Sequence, residues 1–392
     1  MKLVILGFGQ AGSRIADEFA RLNKRARAQR GIDVAPGVFA INTDAADLSG
    51  LSTIKTDYQH RILIGGRKTG GHGVGKINEL GAEIAREDSD KVVDALRSTK
   101  NFYETDGFLL IASAAGGTGS GSMPVMAQHI KERYPDKPVY AMVILPFEHE
   151  EQNEERTIYN TAVCLKSTNS VADAVILVDN QRYVRKDFSL KNNLSQINSM
   201  IVAPFYNLLC AGEEKRSKFV GAKTLDAGDI IQTLLGWTVL GYGESRIARF
   251  KNPFAGMGNF RAKSSETNKG IQAMDEAVSE LSTFVNPKDA SRALYLISGP
   301  AKEINMDLVK EIGDWLKDMA PNAIIRNGDY PREMANLNIT LILSELSDVE
   351  KVRRYYNQST GLIPLIKQRQ KDVESKLQDI DDSARDIPSL LD

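Results

Sequence analysis

Four glycines, Gly116, Gly117, Gly119 and Gly121, fall within one short stretch directly after the apolar run GFLLIAS at 107–113. Glycine loses more backbone entropy on ordering than any other residue, so such a cluster marks a loop that needs positive φ or the close approach of something bulky. A phosphate chain fits that need. Main-chain N–H groups in the loop would point at the anion, and a helix over Met123–Arg133 would add the positive end of its dipole. Thr118 and Ser120 add hydroxyl donors. The other reading is a tight strand-to-helix turn without a ligand, and one glycine-rich loop does not separate the two.

The rest of the composition narrows the function classes. The chain has 392 residues, enough for two or three domains, and 50 Lys and Arg against 51 Asp and Glu give a formal charge of −1. Balanced charge gives no support to nucleic acid or an anionic membrane as partner, and any polyanion binding would have to be local. Cys164 and Cys210 are the only cysteines and lie far apart, which excludes a disulfide framework and fits a reducing compartment, hence the cytoplasm. Four scattered histidines, His60, His72, His129 and His149, make a metal cage or a histidine-based triad a poor fit. The chain opens on the apolar run LVIL with no charged leader before it, and no apolar stretch is long enough for a bilayer span.

Short apolar runs alternate with helical stretches through the first half: KLVILG, a helix over Ser13–Arg27, GVFAINTD, a helix near Ile77–Ala85, GFLLIAS, a helix from Pro124, VYAMVILP, a helix near Thr157–Val171, and DAVILVDN. That alternation predicts a Rossmann-like parallel sheet with helices on both faces, and ligands on such sheets bind at the carboxyl ends of the strands. A long apolar helical segment, NNLSQINSMIVAPFYNLLCAGEE, follows despite Pro204, and reads as a buried connecting helix. Beyond it WTVLGYGES, RALYLISGP, NAIIRNGDY and NLNITLILSEL, separated by helices near Lys269–Leu281 and Met306–Met319, read as a second α/β unit. The predicted division is a nucleotide domain at 1–190, a central helix at 191–215, a second α/β domain at 216–367 and a charged helical tail at 368–392.

Two further glycine loops share the first half. GFGQAG at Gly7–Gly12 fits G-x-G-x-x-G after a strand, as in a dinucleotide site, but the acid that should close the second strand comes late, as Asp44. GGHGVGKI mimics a P-loop through Gly70, Gly75 and Lys76, yet Ile77 stands where magnesium needs Ser or Thr. Three glycine loops on one sheet suit several cradles converging on one polyphosphate, whereas a dinucleotide needs one.

In that order the loops carry a resemblance. GGTGSG resembles the glycine signature of the tubulin/FtsZ superfamily, with GFGQAGSRI, AINTD, KTGGHGVG, LPF with its following acids, and VDN in the family's sequence of loops. Within the superfamily the chain looks most like CetZ, the archaeal tubulin-like branch. The resemblance implies that Gly9, Gln10, Ala11, Gly12 and Ser13, with Gly116, Gly117, Thr118, Gly119 and Ser120, cradle the α- and β-phosphates of GTP or GDP. Gly71 and Gly73 approach the γ-phosphate, and Asn42 and Asp44 line the second loop, with Asp44 holding Mg2+ through water. A helix N-cap is the alternative for Asp44. Asn180 and Asn198 stand where the family reads guanine, matching its acceptor and donor edge, while Leu194 replaces the usual stacking aromatic. The ribose acid is one of Glu150, Glu151 and Glu154, with Glu150 favoured by its distance from Pro146.

TLDAGD resembles the loop by which a neighbouring subunit completes the site, with Asp226 and Asp229 as paired catalytic acids; an N-cap with a first-turn acid is the alternative. Thr224 replaces the family's asparagine just before them. The resemblance thus implies a GTPase that stacks head to tail into a filament whose turnover follows hydrolysis, serving cell-shape control. The rivals are an NAD-dependent oxidoreductase using GFGQAG and a non-polymerising guanine-nucleotide switch. RLNKRARAQR reads as a solvated basic helix end. DIPSLLD at the C-terminus is similar to a short tail peptide for membrane adaptors, or else packs as an ordered tail.

Overall fold

The run LVILGF is buried at all six positions, with none of the alternation of a half-exposed strand, as expected where helices cover both faces of a parallel sheet. A computed structural model describes residues 1–184, 190–214, 221, 223–246 and 259–384. The first unit runs β1 (Leu3–Phe8), α1 (Gly9–Arg30), β2 (Val38–Asn42), α2 (Ala45–Ser49), β3 (Arg61–Leu63), α3 (Gly66–Thr69), α4 (Asn78–Glu87) and α5 (Ser89–Arg97). It continues with β4 (Gly107–Ser113), α6 (Thr118–Arg133), β5 (Val139–Leu145), α7 (Glu148–Asn153), α8 (Glu155–Asn169) and β6 (Ala174–Asp179). The second half holds α9 (Leu190–Cys210), α10 (Ala227–Thr233), β7 (Gly236–Arg246), α11 (Asn259–Ser279), β8 (Ala290–Gly299), α12 (Met306–Met319), β9 (Ile324–Pro331), β10 (Asn336–Leu346) and α13 (Glu350–Ala384).

The strands form one ten-stranded sheet in the order β3-β2-β1-β4-β5-β6-β7-β10-β8-β9. It is parallel from β3 to β7, and β10 runs antiparallel to both its neighbours. The two predicted α/β units therefore share a sheet: Ala174 of β6 pairs with Gly236 of β7. The seam is short, because Ser282 inserts beyond it, donating to the Leu177 carbonyl at 2.6 Å and accepting the Leu240 N–H at 3.0 Å.

Alternate residues of the central strands feed opposite cores. Leu6, Phe8, Phe108 and Leu110 pack beneath α4, α6 and α8. Leu3, Ile5, Leu109 and Ile111 meet α1 and the apolar face of α9. Phe205 of α9 stands edge-on to Phe19 of α1, centroids 6.5 Å apart. The Leu209 carbonyl near the end of α9 accepts from the N-terminus at Met1, 3.0 Å away, so α9 crosses the sheet to its amino edge.

Several elements depart from the sequence reading: α1 starts at Gly9 rather than Ser13, β3 has no counterpart in it, and α6 and α13 differ in extent. α6 starts at Thr118 rather than Met123, so Gly119 and Gly121 are helical. None of the four clustered glycines has positive φ. At the other end, α13 begins at Glu350 and continues unbroken across the boundary drawn at 367/368. DIPSLLD lies outside the described residues.

Candidate functional site

α1 and α6 leave the carboxyl ends of adjacent strands, Phe8 of β1 pairing with Ala112 of β4. α1 starts without any connecting loop, at Gly9, whose φ of 67° only glycine adopts freely. Neither helix has a side-chain cap or an acid in its first turn. By contrast α2, α10 and α12 are capped by Asp44, Asp226 and Asn305. The first four N–H groups of a helix lack intrahelical acceptors, so two sets of unsatisfied donors and two positive dipole ends meet here. They meet closely: a Cβ on Gly9 would stand 3.0 Å from the Gly119 nitrogen.

The glycines divide into two roles. A Cβ on Gly12 would lie 2.2 Å from the Ile111 carbonyl oxygen, one on Gly121 2.1 Å from that of Asn78, and one on Gly117 2.6 Å from Val74. Those contacts are helix-to-strand packing at Gly12, helix-to-helix packing at Gly121, and packing against the loop before α4 at Gly117. Gly116 has nothing within 4 Å of the same position and is the glycine left open. The expected hydroxyl donors turn inward: Ser13 donates to the Gly7 carbonyl at 3.4 Å, Ser120 to that of Gly116, and Thr118 bonds Thr43 at 2.6 Å.

The second and third loops close on each other beside this cradle. Ala45 N–H donates to the Gly71 carbonyl at 3.0 Å and Gly73 N–H to that of Thr43 at 3.1 Å. Asn42, buried, accepts the Thr43 N–H at 2.8 Å and donates to Asp47, which also takes a bond from Gln10. Asp44 caps α2 by accepting the Asp47 N–H at 3.0 Å through Oδ1. Its Oδ2 faces Gly73, 3.8 Å from where a Cβ would stand. No group of three or more His, Cys, Asp or Glu side chains able to hold a metal occurs among the described residues. If the adjoining helix N-termini hold a phosphate chain, the Asp44 carboxylate would suit magnesium, which keeps several waters and takes phosphate oxygens as its other ligands.

The three candidate ribose acids have separate tasks. Glu150 accepts the Phe147 N–H at 2.9 Å at the start of α7. Glu151 accepts from Arg354 and Tyr355, and Glu154 from Lys76. Asn180 opens a 3-10 turn, Asn180–Tyr183, at the end of β6, and Asn198 and Leu194 lie half-buried on α9, which packs against that turn. One residue escaped the sequence reading. Asn160 on α8, fully buried, donates to the carbonyls of Lys76, Ala115 and Gly116 at 2.9, 3.1 and 3.3 Å, tying the third loop to the glycine cluster. Its only signal was an amide within the mixed run TIYNTAV.

Asp226 and Asp229 sit elsewhere. Asp226 caps α10 by accepting the Asp229 N–H at 2.8 Å, and Asp229 pairs with Arg326 at 3.5 Å. α10 leads into β7 at the amino edge of the sheet, where the Gly236 N–H bonds the Asp173 carbonyl. The cradle lies at the carboxyl edge, the length of a seven-residue strand away, about 23 Å. One subunit does not bring the two together. A cleft of about 580 Å3 between α9, β7 and α11 contains none of the predicted residues.

A doubly wound parallel sheet with two uncapped helix N-termini side by side at its carboxyl edge, bridged by a buried helix to a second α/β unit, has the architecture of a tubulin-like protein. Residues 2–186 match the tubulin/FtsZ family GTPase domain, and residues 187–360 the C-terminal domain of tubulin-like CetZ. The chain belongs to the tubulin/FtsZ family of GTPases, in its CetZ branch. Tubulin-like protein CetZ1 of Haloferax volcanii is 32% identical over 369 residues, covering 90% of both chains. Tubulin-like protein CetZ of Thermococcus kodakarensis is 27% identical, covering 97% of this chain and 91% of its own. Among solved structures, the GDP-bound monomer of H. volcanii CetZ1 superposes with a TM-score of 0.78 at 29% identity, over 92% of this chain and 99% of that one. The GTPγS-bound protofilament of H. volcanii CetZ2 gives 0.78 at 29%, over 94% and 100%. An empty FtsZ dimer from M. jannaschii, at 22% identity and a TM-score of 0.65 over 88% of each chain, shares the fold.

Proposed function

We propose that this protein binds GTP at the α1/α6 cradle and assembles head to tail, each site being completed by the next subunit's Asp226 and Asp229. The observation that carries the reading is the pair of uncapped, acid-free helix N-termini in contact through Gly9 and Gly119. Two such termini suit a di- or triphosphate better than a dinucleotide, and β2 closes on Asn42, where an NAD site wants its ribose acid. Asn180 and Asn198 read the base, and Glu150 is the favoured ribose acid. The GDP and GTPγS bound by CetZ1 and CetZ2 support a guanine nucleotide here.

Asp44 is the magnesium residue; the ion, when bound, would offset charge building on the phosphate oxygens. Gly71 and Gly73 bring main chain to the terminal phosphate. Asp226 and Asp229, at the opposite edge of the sheet, reach a γ-phosphate only in a neighbouring subunit, where two carboxylates would orient and polarise one water. A contact between unlike surfaces that does not close propagates a filament, and the GTPγS-bound protofilament of CetZ2 supports such assembly here. Phosphate loss at that contact weakens it and times disassembly. We keep 1–190, 191–215, 216–367 and 368–392 as functional divisions of the chain, although the first and third share a sheet and α13 runs across the last limit. We assign the filament to cell-shape control in the cytoplasm, where both free cysteines stay reduced.

The test is GTP turnover per subunit over a range of protein concentrations, with Asp226→Asn beside the parent; asparagine caps a helix as well as aspartate does. A rate per subunit that climbs with concentration and collapses in the variant supports the shared site. A concentration-independent rate points to the non-polymerising switch. A nicotinamide spectrum from nucleotide released by heat would restore the oxidoreductase.

A further inference from the structure

The first turns of α13 reach back to the nucleotide domain. Lys351, Arg354 and Tyr355 fall at i, i+3 and i+4, on one helix face. Lys351 Nζ stands 2.5 Å from Asp179 Oδ2, and the pair is nearly sealed, with side-chain exposures of 14% and 6%. The other Asp179 oxygen accepts the Gln181 N–H at 3.1 Å and so caps the turn that Asn180 opens. One turn further along the helix, Arg354 and Tyr355 both donate to Glu151, the neighbour of Glu150. Gln181 Oε1 accepts the Glu148 N–H at 3.4 Å, joining the two gripped loops.

A carboxylate as enclosed as Asp179 is stable only while paired. Without the lysine its enclosed charge loses its partner, the carboxylate turns towards water, and the Gln181 N–H loses its fixed acceptor. The strand itself would hold, because the Asp179 N–H donates to the Ser282 carbonyl at 2.7 Å whatever its side chain does. The disturbance therefore falls on the turn bearing Asn180 and leaves β6 in place.

We propose that Lys351 is a positioning residue for base recognition: through Asp179 it holds the turn Asn180–Tyr183 so that the Asn180 amide is presented to the guanine edge already ordered. The inference rests on the guanine-nucleotide reading above. It makes the start of the C-terminal helix part of the specificity apparatus, although Lys351 does not touch the base.

The experiment measures GTP and ITP affinity on the full chain for the parent, Lys351→Met and Lys351→Arg, alongside thermal unfolding of each. Inosine lacks the 2-amino donor of guanine. The expected result is that Lys351→Met weakens GTP binding about tenfold and ITP binding much less, as one anchored hydrogen-bonding group is lost, while Lys351→Arg keeps the preference. Equal losses for both nucleotides with a lower unfolding temperature would show a purely structural pair and overturn the inference. So would a full GTP preference in Lys351→Met. A parent with no preference for GTP over ITP overturns the guanine reading and this inference together. Should Lys351→Met not fold, Lys351→Gln keeps a donor, removes the charge, and is expected to narrow the preference in the same direction.

Discussion

The side-chain amide of Asn160 donates to the main-chain carbonyl of Lys76 at 2.9 Å, across 84 residues of sequence, and the same nitrogen reaches Ala115 and Gly116. One buried donor group thus sets the distance between the third loop and the open glycine of the cradle. Asn160→Ala would leave those carbonyls without their partner, costing about 1–3 kcal/mol of stability. It would also weaken nucleotide binding. Urea unfolding and a nucleotide titration on the same variant read the two effects separately.

Gly116 and Gly121 are predicted to respond in opposite ways to alanine. At Gly121 the added methyl meets the Asn78 carbonyl at 2.1 Å, so α4 and α6 must move apart, at a cost of about 1–3 kcal/mol. At Gly116 nothing stands within 4 Å, and stability is expected to stay within about 0.5 kcal/mol. Nucleotide affinity should nevertheless fall sharply in Gly116→Ala, because the methyl enters the space left for phosphate. Undiminished affinity there would remove the cradle from this position.

Asp44→Asn separates a cap from a magnesium residue. The Asp47 N–H keeps an oxygen acceptor, so unfolding should be unchanged. Loss of the carboxylate charge facing Gly73 is expected to raise the magnesium concentration needed for half-maximal GTP turnover. An unaltered magnesium dependence would leave Asp44 only its capping role.

Burial pushes the Cys164 thiol from 9.0 to about 12 and the Tyr356 phenol from 10.0 to about 12. Both groups hold their protons more tightly folded than unfolded. Their contribution to stability is complete below pH 9, declines as the unfolded chain begins to ionise, and is lost as the pH rises towards 12. Unfolding midpoints are expected to hold near pH 8 and fall steadily above 9. Both cysteines are buried, so an aromatic disulfide reagent at pH 8 should find no thiol in the folded protein and two in urea.

Much of the architecture was legible because it is local. Runs such as LVIL and AVILV are apolar at every position, as expected of a strand covered on both faces, and their alternation with helical stretches already implied a parallel sheet. The glycine loops were legible for the same reason, since contiguous residues build each one. The start of α6 was not. Gly119 and Gly121 look like loop residues until the neighbouring carbonyls of Phe8 and Asn78 are in place and leave no room for a side chain, at which point a helix through glycine becomes the better packing.

The sequence by itself determined nine of the ten strands, the three glycine-rich loops and the family, all written in neighbouring residues whose backbone preferences act together. Only the tertiary structure decided that Asn160 ties two of those loops, that Lys351 reaches Asp179 across 172 residues, and that Asp226 stands at the opposite edge of the sheet from Gly116. Such relations depend on which buried polar groups meet once the cores have closed. A buried carboxylate or carbonyl needs a partner, and spacing along the chain carries no record of which distant side chain will supply it.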